Sequence, residues 1–338
     1  MNTFNQTATM EAGFANQAQI AALRDKIKDT LSPLVDSNYV LLDVPNHRNI
    51  GDNLIWKGEL VFLSGLPHER LYMANMHTCR FARIPAAAVI LIHGGGNFGD
   101  MYPESQQFKL SVIERFPQNR IILFPQTAYY KDPRRLKREA RVINAHKNLH
   151  LCLRDHVSYE MISRYVDKEK LLLLPDMAFC LDLRAHHTTA ETGRVLIMKR
   201  TDHELSDDFN AAGLMAGCGG KTVEVRDWPS YGHTQAHTRW ITRFDSIERR
   251  LSAVMVRLPV LHTLVDPAFG LRSTKNMDRY VQQGITFINR YDKVITTRLH
   301  GFILAALLGK RIRILDNCYG KNINFYNTWL STFRHVEI

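Results

Sequence analysis

Thr296-Thr297-Arg298-Leu299-His300-Gly301 places an arginine, a histidine and a glycine where an apolar run of strand character gives way to the apolar helical stretch 302–308. Unpaired N–H groups at a helix start, a fixed positive charge and a side chain titrating near neutral pH together make a phosphate site with a proton donor beside it. Arg298, Leu299, His300 and Gly301 are therefore candidate anion-binding residues, with Gly301 read as relieving crowding where the ligand approaches. Arg154-Asp155-His156-Val157-Ser158 puts a second arginine at a strand end. Arg154 can fork onto a carboxylate or phosphate, or pair structurally with Asp155 or Asp176. His93-Gly94-Gly95-Gly96-Asn97-Phe98-Gly99-Asp100 reads as a binding loop whose free N–H groups suit an anion or a sugar ring. It matches neither G-x-G-x-x-G nor the P-loop, which disfavours a nucleotide cofactor. In Asn49-Ile50-Gly51-Asp52-Asn53, Gly51 permits close backbone approach, while Asp52 and Asn53 either cap a helix or present a carboxylate and an amide to a ligand.

Strand ends and helix starts must hold these motifs. Short β-branched or leucine-rich runs at 39–44, 88–93, 120–125, 149–154 and 171–174 read as parallel strands, with helices after Asp52, Glu104, Pro133 and His156. After a loop-rich stretch the alternation restarts, with strands expected at 194–198, 222–225, 260–264, 294–296 and 311–315 and helices within 237–255, over 274–283 and after His300. The expected architecture is α/β, with two Rossmann-like doubly wound domains at 38–185 and 186–338 and the site in the cleft between them. Residues 1–15 read as a loose arm, and Ile20, Leu23, Ile27, Leu31 and Leu34 as one apolar helical stripe that packs on the body or, with Arg24, Lys26 and Lys28, lies on a membrane.

No run reaches the roughly 18 apolar residues of a membrane span. The polar opening lacks the form of a signal peptide, so the cytoplasm is the expected compartment. A net charge of +11 draws anions, but the basic residues are scattered and no nucleic-acid motif accompanies them, so no nucleic-acid partner is expected. Five dispersed cysteines without a C-x-x-C pair read as reduced thiols, and Cys218 as an incidental one.

Taken together, Asn49-x-Gly51-Asp52, His93-Gly94-Gly95-Gly96-Asn97, Phe124-Pro125-Gln126-Thr127, Arg154-Asp155-x-x-Ser158, Pro175-Asp176 and Arg298-Leu299-His300-Gly301 resemble, in content and order, the polysaccharide pyruvyl transferase family of bacterial exopolysaccharide and capsule synthesis. The resemblance covers roughly 38–325. It implies a fold like the GT-B glycosyltransferases and transfer of pyruvate from phosphoenolpyruvate to two hydroxyls of a sugar or lipid-linked oligosaccharide, as a cyclic ketal, with no cofactor or metal. It further implies that Arg298 and His300 bind and act on phosphoenolpyruvate, with Arg154 as another anion-binding arginine. Asp52 is the candidate general base, and Asn49, Gly51, Asn53, His93, Gly94, Gly95, Gly96 and Asn97 the candidate acceptor side. Peripheral contact with the inner membrane face is a further expectation, consistent with the +11 charge. The alternatives are a nucleotide-sugar glycosyltransferase, a non-catalytic carbohydrate-binding protein of the same fold and, least favoured, a metal hydrolase using His186, His187, His233 and His237.

Overall fold

A computed structural model describes residues 2–338 except 189–190, 203, 207–208, 232–234 and 272–275. Its first sheet is built from β1 (Tyr39–Leu42), β2 (Arg70–Ala74), β3 (Val89–Ile92), β4 (Gly95–Gly99), β5 (Ile121–Tyr129), β6 (Leu149–Leu153) and β7 (Leu171–Leu173), in the order β2-β1-β3-β5-β6-β7 with β4 alongside β5. β8 (Arg194–Met198) and β9 (Thr222–Arg226) open the second half, followed by a ribbon of β10 (Val265–Asp266) and β11 (Gly270–Leu271). β12 (Lys293–Thr296), β13 (Arg311–Ile314) and β14 (Val336–Glu337) complete a second sheet ordered β14-β13-β12-β8-β9. All pairings within the two sheets are parallel. Each sheet runs outward in both directions from its first strand, so strand order reverses between β1 and β3 and again between β8 and β12. In open α/β sheets ligands bind outside the carboxyl ends of strands at such reversals.

The helices are α1 (Asn2–Leu31), α2 (Ile50–Ser64), α3 (Pro103–Arg115), α4 (Pro133–Ala145), α5 (His156–Ser163), α6 (Ala211–Ala216), α7 (Gln235–Met255), α8 (Met277–Ile288), α9 (Leu299–Leu307) and α10 (Lys321–Trp329). The central strands are buried along their whole length, as strands covered on both faces must be. Alternate residues of β1 enter different cores: Val40 and Leu42 face one with α3 and α4, while Tyr39 and Leu41 face another that also receives α1, α2, α8, α9 and the inner face of the second sheet. The apolar material between the sheets is therefore one continuous cluster. α2 is its keel, with Ile50, Leu54, Ile55 and Trp56 all buried.

Several expectations are corrected. The first helix starts before Asp52, at Ile50. The backbone is helical from Asn2 rather than irregular. Ile20, Leu23, Ile27 and Leu31 are buried against the body, Arg24 donates to the carbonyls of Phe179 and Leu181 at 3.1 and 2.8 Å, and Lys26 lies over the Trp329 ring. Two of the basic side chains of α1, Arg24 and Lys26, thus fasten it to the body. Residues 260–264 were expected as a strand, yet 261–264 form a 3-10 turn in which Val260 and Leu264 are exposed and pair with no strand among the described residues. Strands β2 and β4 were not anticipated, and the expected start of the helix at 274 lies outside the described residues.

Since Leu31 is completely buried, Leu31→Ala is expected to cost about 2–5 kcal/mol in urea unfolding. A cost below about 0.5 kcal/mol would mean that α1 is not part of the core.

Candidate active site

Loops at the carboxyl edges of most inner strands carry a side chain into one cavity of about 670 Å³. From the first sheet come Asp43 after β1, His93 after β3 and Arg154 after β6; from the second come Arg200 and Asp202 after β8, Trp228 after β9, Arg298 after β12 and Lys321 after β13. Of the residues singled out in the sequence, Asn49, Asp52, His93, Gly94, Gly96, Asn97, Arg154, Arg298, Leu299 and His300 line this cavity, whereas Gly51, Asn53, Gly95 and Gly301 do not.

The two halves meet at His300. Its Nε2 lies 3.4 Å from Oδ2 of Asp176, and the same oxygen accepts from Arg154 Nη1 at 2.5 Å. Asp176 is fully buried, and its other oxygen accepts the Ala178 N–H at 2.9 Å. Burial alone would raise its pKa. The hydrogen bond and charge of His300, with the Arg154 charge, outweigh that and hold the carboxyl well below the usual carboxylate range. Arg154 also donates from Nε to Thr127 Oγ1 at 2.8 Å, which leaves Nη2 without a partner among the described residues. Asp155 instead caps α5 through the Ser158 N–H, so of the two structural pairings open to Arg154 the Asp176 pairing is the one formed.

The seat of His300 explains Gly51. A Cβ at Gly51 would lie 2.5 Å from His300 Nδ1 and 2.8 Å from Cγ, so the imidazole rests on the first turn of α2 and only glycine fits beneath it. Gly51 was read as leaving room for a ligand; the group that approaches is the histidine. Gly301 is corrected in the same way, since a Cβ there would strike Met198 Sδ at 2.5 Å and Thr296 Oγ1 at 2.6 Å. It lets α9 pack on β8 and β12 and does not line this cavity. The N-cap of α2 is Asn49, whose Oδ1 accepts the Gly51 N–H at 3.0 Å and whose Nδ2 donates to Asp52 Oδ2 at 2.8 Å. Asp52 therefore does not cap the helix and presents a partly exposed carboxylate to the cavity. Asn53 is buried, its Nδ2 spanning the carbonyls of His47 and Asn49 at 3.1 and 2.8 Å, and it fastens the loop rather than touching a ligand.

The glycine run is also different from the expected loop. Gly95–Gly99 forms β4 and pairs with β5, and Gly95 at φ 130° lies off the cavity wall. Gly94 passes so near Pro125 that a Cβ would come within 2.8 Å of its carbonyl oxygen, and a Cβ at Gly96 would be 3.3 Å from Arg154 Nη2. The glycines thus admit the neighbouring strand and the free arginine nitrogen. Asn97 is held by Ser105 and Lys109 at 2.9 and 3.0 Å. His93 is buried, with Nδ1 2.9 Å from Glu59 Oε2, while Glu59 Oε1 accepts the Gly94 N–H at 2.8 Å. Burial lowers the His93 pKa, but the Glu59 charge and hydrogen bond overcome it and leave it raised.

On the opposite wall the cations are already paired. Arg298 donates from Nε and Nη2 to Asp227, the latter at 2.6 Å, and from Nη2 to Asp202 at 3.1 Å. Burial opposes its charge, yet the Asp227 hydrogen bond keeps it firmly protonated. Arg200 bridges Asp202 at 2.6 Å and Glu204 at 2.8 Å, and Glu204 also receives Lys321 at 2.7 Å and the hydroxyls of Tyr102 and Tyr319. Burial favours deprotonation of Lys321 and lowers its pKa, against the pull of Glu204. The positive charge of this wall is thus spent internally. What it offers a ligand is oriented donors: Arg298 Nη1, without a partner among the described residues, and the start of α9, where Arg298 is the N-cap and no side chain caps the helix.

Sequence reasoning gave no role to Glu59, Asp227 or Tyr231, and none to Arg200, Glu204 or Lys321. An acidic Glu59 on the largely apolar, buried face of α2 was an available signal. The histidines of the metal alternative are dispersed: His187 bonds the Leu307 carbonyl at 2.9 Å, His237 is on α7, and His233 lies outside the described residues. Cys218 is half-buried and bonded to the Leu214 carbonyl, away from the cavity.

Two parallel α/β sheets thus enclose a cavity of oriented cations, a buried histidine–carboxylate pair and an accessible carboxylate, the layout of an α/β enzyme. The comparisons specify which. A sequence profile of the polysaccharide pyruvyl transferase family matches residues 49–319, and the chain belongs to that family; it is a transferase. It is 32% identical over 314 residues to EpsO of Bacillus subtilis (strain 168), provisionally named a pyruvyl transferase, covering 90% of each chain. It is 29% identical to pyruvyl transferase 1 of Schizosaccharomyces pombe over 86% of this chain and 69% of that one. A crystal structure of a functionally uncharacterized protein from Klebsiella pneumoniae has the same fold, with a TM-score of 0.59 at 19% identity, covering 93% of this chain and 97% of that chain.

The Asp176 pKa is depressed in the folded state, so its contribution to stability is present above the unfolded carboxylate pKa of about 4 and is lost as pH falls below it. Asp176→Asn is expected to cost about 3–5 kcal/mol at pH 7 by leaving Arg154 unpaired. It should also flatten the fall of the melting midpoint between about pH 5 and pH 2. An unchanged acid limb would show that Asp176 is not held charged.

Proposed function

We propose that this chain transfers the pyruvyl group of phosphoenolpyruvate to two hydroxyls of a sugar in an exopolysaccharide, capsule or lipid-linked oligosaccharide precursor, forming a cyclic ketal and releasing phosphate. In this reading the two sheets are Rossmann-like domains, 38–185 on the acceptor side and 186–338 on the phosphoenolpyruvate side, arranged as in GT-B glycosyltransferases, with the helical segment 1–37 preceding them. The observation that carries it is the convergence of Arg154, Arg298, the uncapped start of α9 and His300 on one cavity that also bears Asp52.

The anionic donor accepts hydrogen bonds from Arg298, Arg154 and the Leu299 end of α9, groups whose orientation is fixed before it arrives. His300 gives a proton to the methylene carbon, leaving an oxocarbenium-like C2. The first sugar hydroxyl adds to C2 and yields its proton to Asp52. The C2–O bond to phosphate then breaks, its electron pair leaving on phosphate, which takes the proton from Asp52. Addition of the second hydroxyl closes the ketal and returns a proton to His300. The sum is phosphoenolpyruvate plus diol giving pyruvate ketal plus inorganic phosphate, a balance that calls on no cofactor.

Millimolar phosphoenolpyruvate is expected to raise the melting midpoint by a few degrees, as ligand binding to the native state requires, whereas uridine and guanosine diphosphate sugars leave it unchanged. His300→Ala should keep that shift and lose phosphate release by at least about a hundredfold. Stabilisation by nucleotide sugars alone would move the reading to a glycosyltransferase, and an active, well-folded His300→Ala protein would remove the mechanism.

A further inference from the structure

α7 has two faces of opposite use. Asp245, Glu248 and Ser252 point inward and are buried, and Ile241, Thr242, Asp245 and Arg249 form part of the cavity wall. On the outer side Trp240, Phe244, Ile247, Leu251 and Val254 recur every three to four residues, a spacing that aligns them on one face, and Leu258 continues the run. All are exposed: Trp240 retains 65% of its surface, Ile247 58% and Val254 59%. Trp240 and Phe244 stack on each other at 5.9 Å rather than on the body.

Charge selects among occupants of this stripe. Arg243, Arg250 and Arg257 follow it at seven-residue intervals, exposed and without an ion pair among the described residues. The helix's own carboxylates are turned away and held: Asp245 by Arg48 at 2.9 Å, Glu248 by Ser252 Oγ at 3.1 Å. A second copy laid antiparallel would bring the arginine row against itself. A parallel copy would oppose it with positions that offer no free carboxylate. A lipid surface takes both features, since apolar side chains enter the acyl boundary, tryptophan suits the headgroup level and guanidinium groups meet lipid phosphates.

We propose that α7 docks its outer face on an anionic membrane surface and so holds the cavity, whose wall the opposite face of the helix forms through Ile241, Thr242 and Arg249, one helix thickness from the bilayer that carries a lipid-linked acceptor. The part concerning the acceptor rests on the function proposed above; the docking does not. The test is flotation of the full chain, without phosphoenolpyruvate, with vesicles of phosphatidylglycerol and phosphatidylcholine against phosphatidylcholine alone. The chain is expected to float with the anionic vesicles and less so as salt rises. The triple variant Arg243→Glu, Arg250→Glu, Arg257→Glu should lower partitioning by more than about a hundredfold. The Trp240→Ser, Phe244→Ser pair should also release the protein while keeping its melting midpoint and its phosphate release with a water-soluble acceptor. Failure to float, variants that float like the parent, or a dimer in light scattering that the Trp240→Ser, Phe244→Ser pair makes monomeric would each overturn the proposal. A chain that does not float but is stabilised by phosphoenolpyruvate sinks the docking alone, and one that floats without that stabilisation sinks only the function.

Discussion

One buried carboxylate oxygen ties the site together. Asp176 Oδ2 receives Arg154 from the first sheet and faces His300 from the second, in an interior where an unpaired charge would be costly. Much of the surrounding architecture serves that contact. The 3-10 turn after Asp176 gives its remaining oxygen an N–H, Gly51 clears a seat for the imidazole, and α1 closes over the same turn through Arg24. Because the apolar core between the sheets is continuous, the pair is set in rigid surroundings rather than across a loose gap.

The opposite wall uses a different device with the same end. Arg298 and Arg200 are each held by two carboxylates, and Lys321 by Glu204, so the cavity does not attract a donor anion by surplus charge alone. Its contribution to transfer chemistry would come from orientation: dipoles and N–H groups that need not reorganise as charge moves from the enol toward phosphate. The carboxylate network also keeps several cations close together that would otherwise repel one another.

The inner strands, the positions of Arg154 and Arg298 at strand ends and the start of α9 beside His300 were legible in the sequence, because apolar runs and helix starts are local signals. Where readings went wrong, a distant neighbour decided the outcome. Gly51 and Gly301 looked like ligand contacts because a sequence shows that a glycine is small, not what approaches it; the neighbours are His300 and Met198. Glu59 and Asp227 sit far from the motifs they serve, and β4 exists because β5 lies beside it. Apolar residues at 260–264 read as a strand but join no sheet among the described residues, and the run on α7 was legible as a helix but not as a face left uncovered.

The central claim is that groups from both sheets hold one donor molecule. A crystal structure of the chain with phosphoenolpyruvate and no acceptor tests it most directly. The account predicts the donor at the start of α9, hydrogen-bonded to both Arg298 and Arg154 Nη2, with its methylene carbon within reach of His300. A donor bound on one sheet's residues alone, or at the far rim near His77 and Arg249, would contradict it.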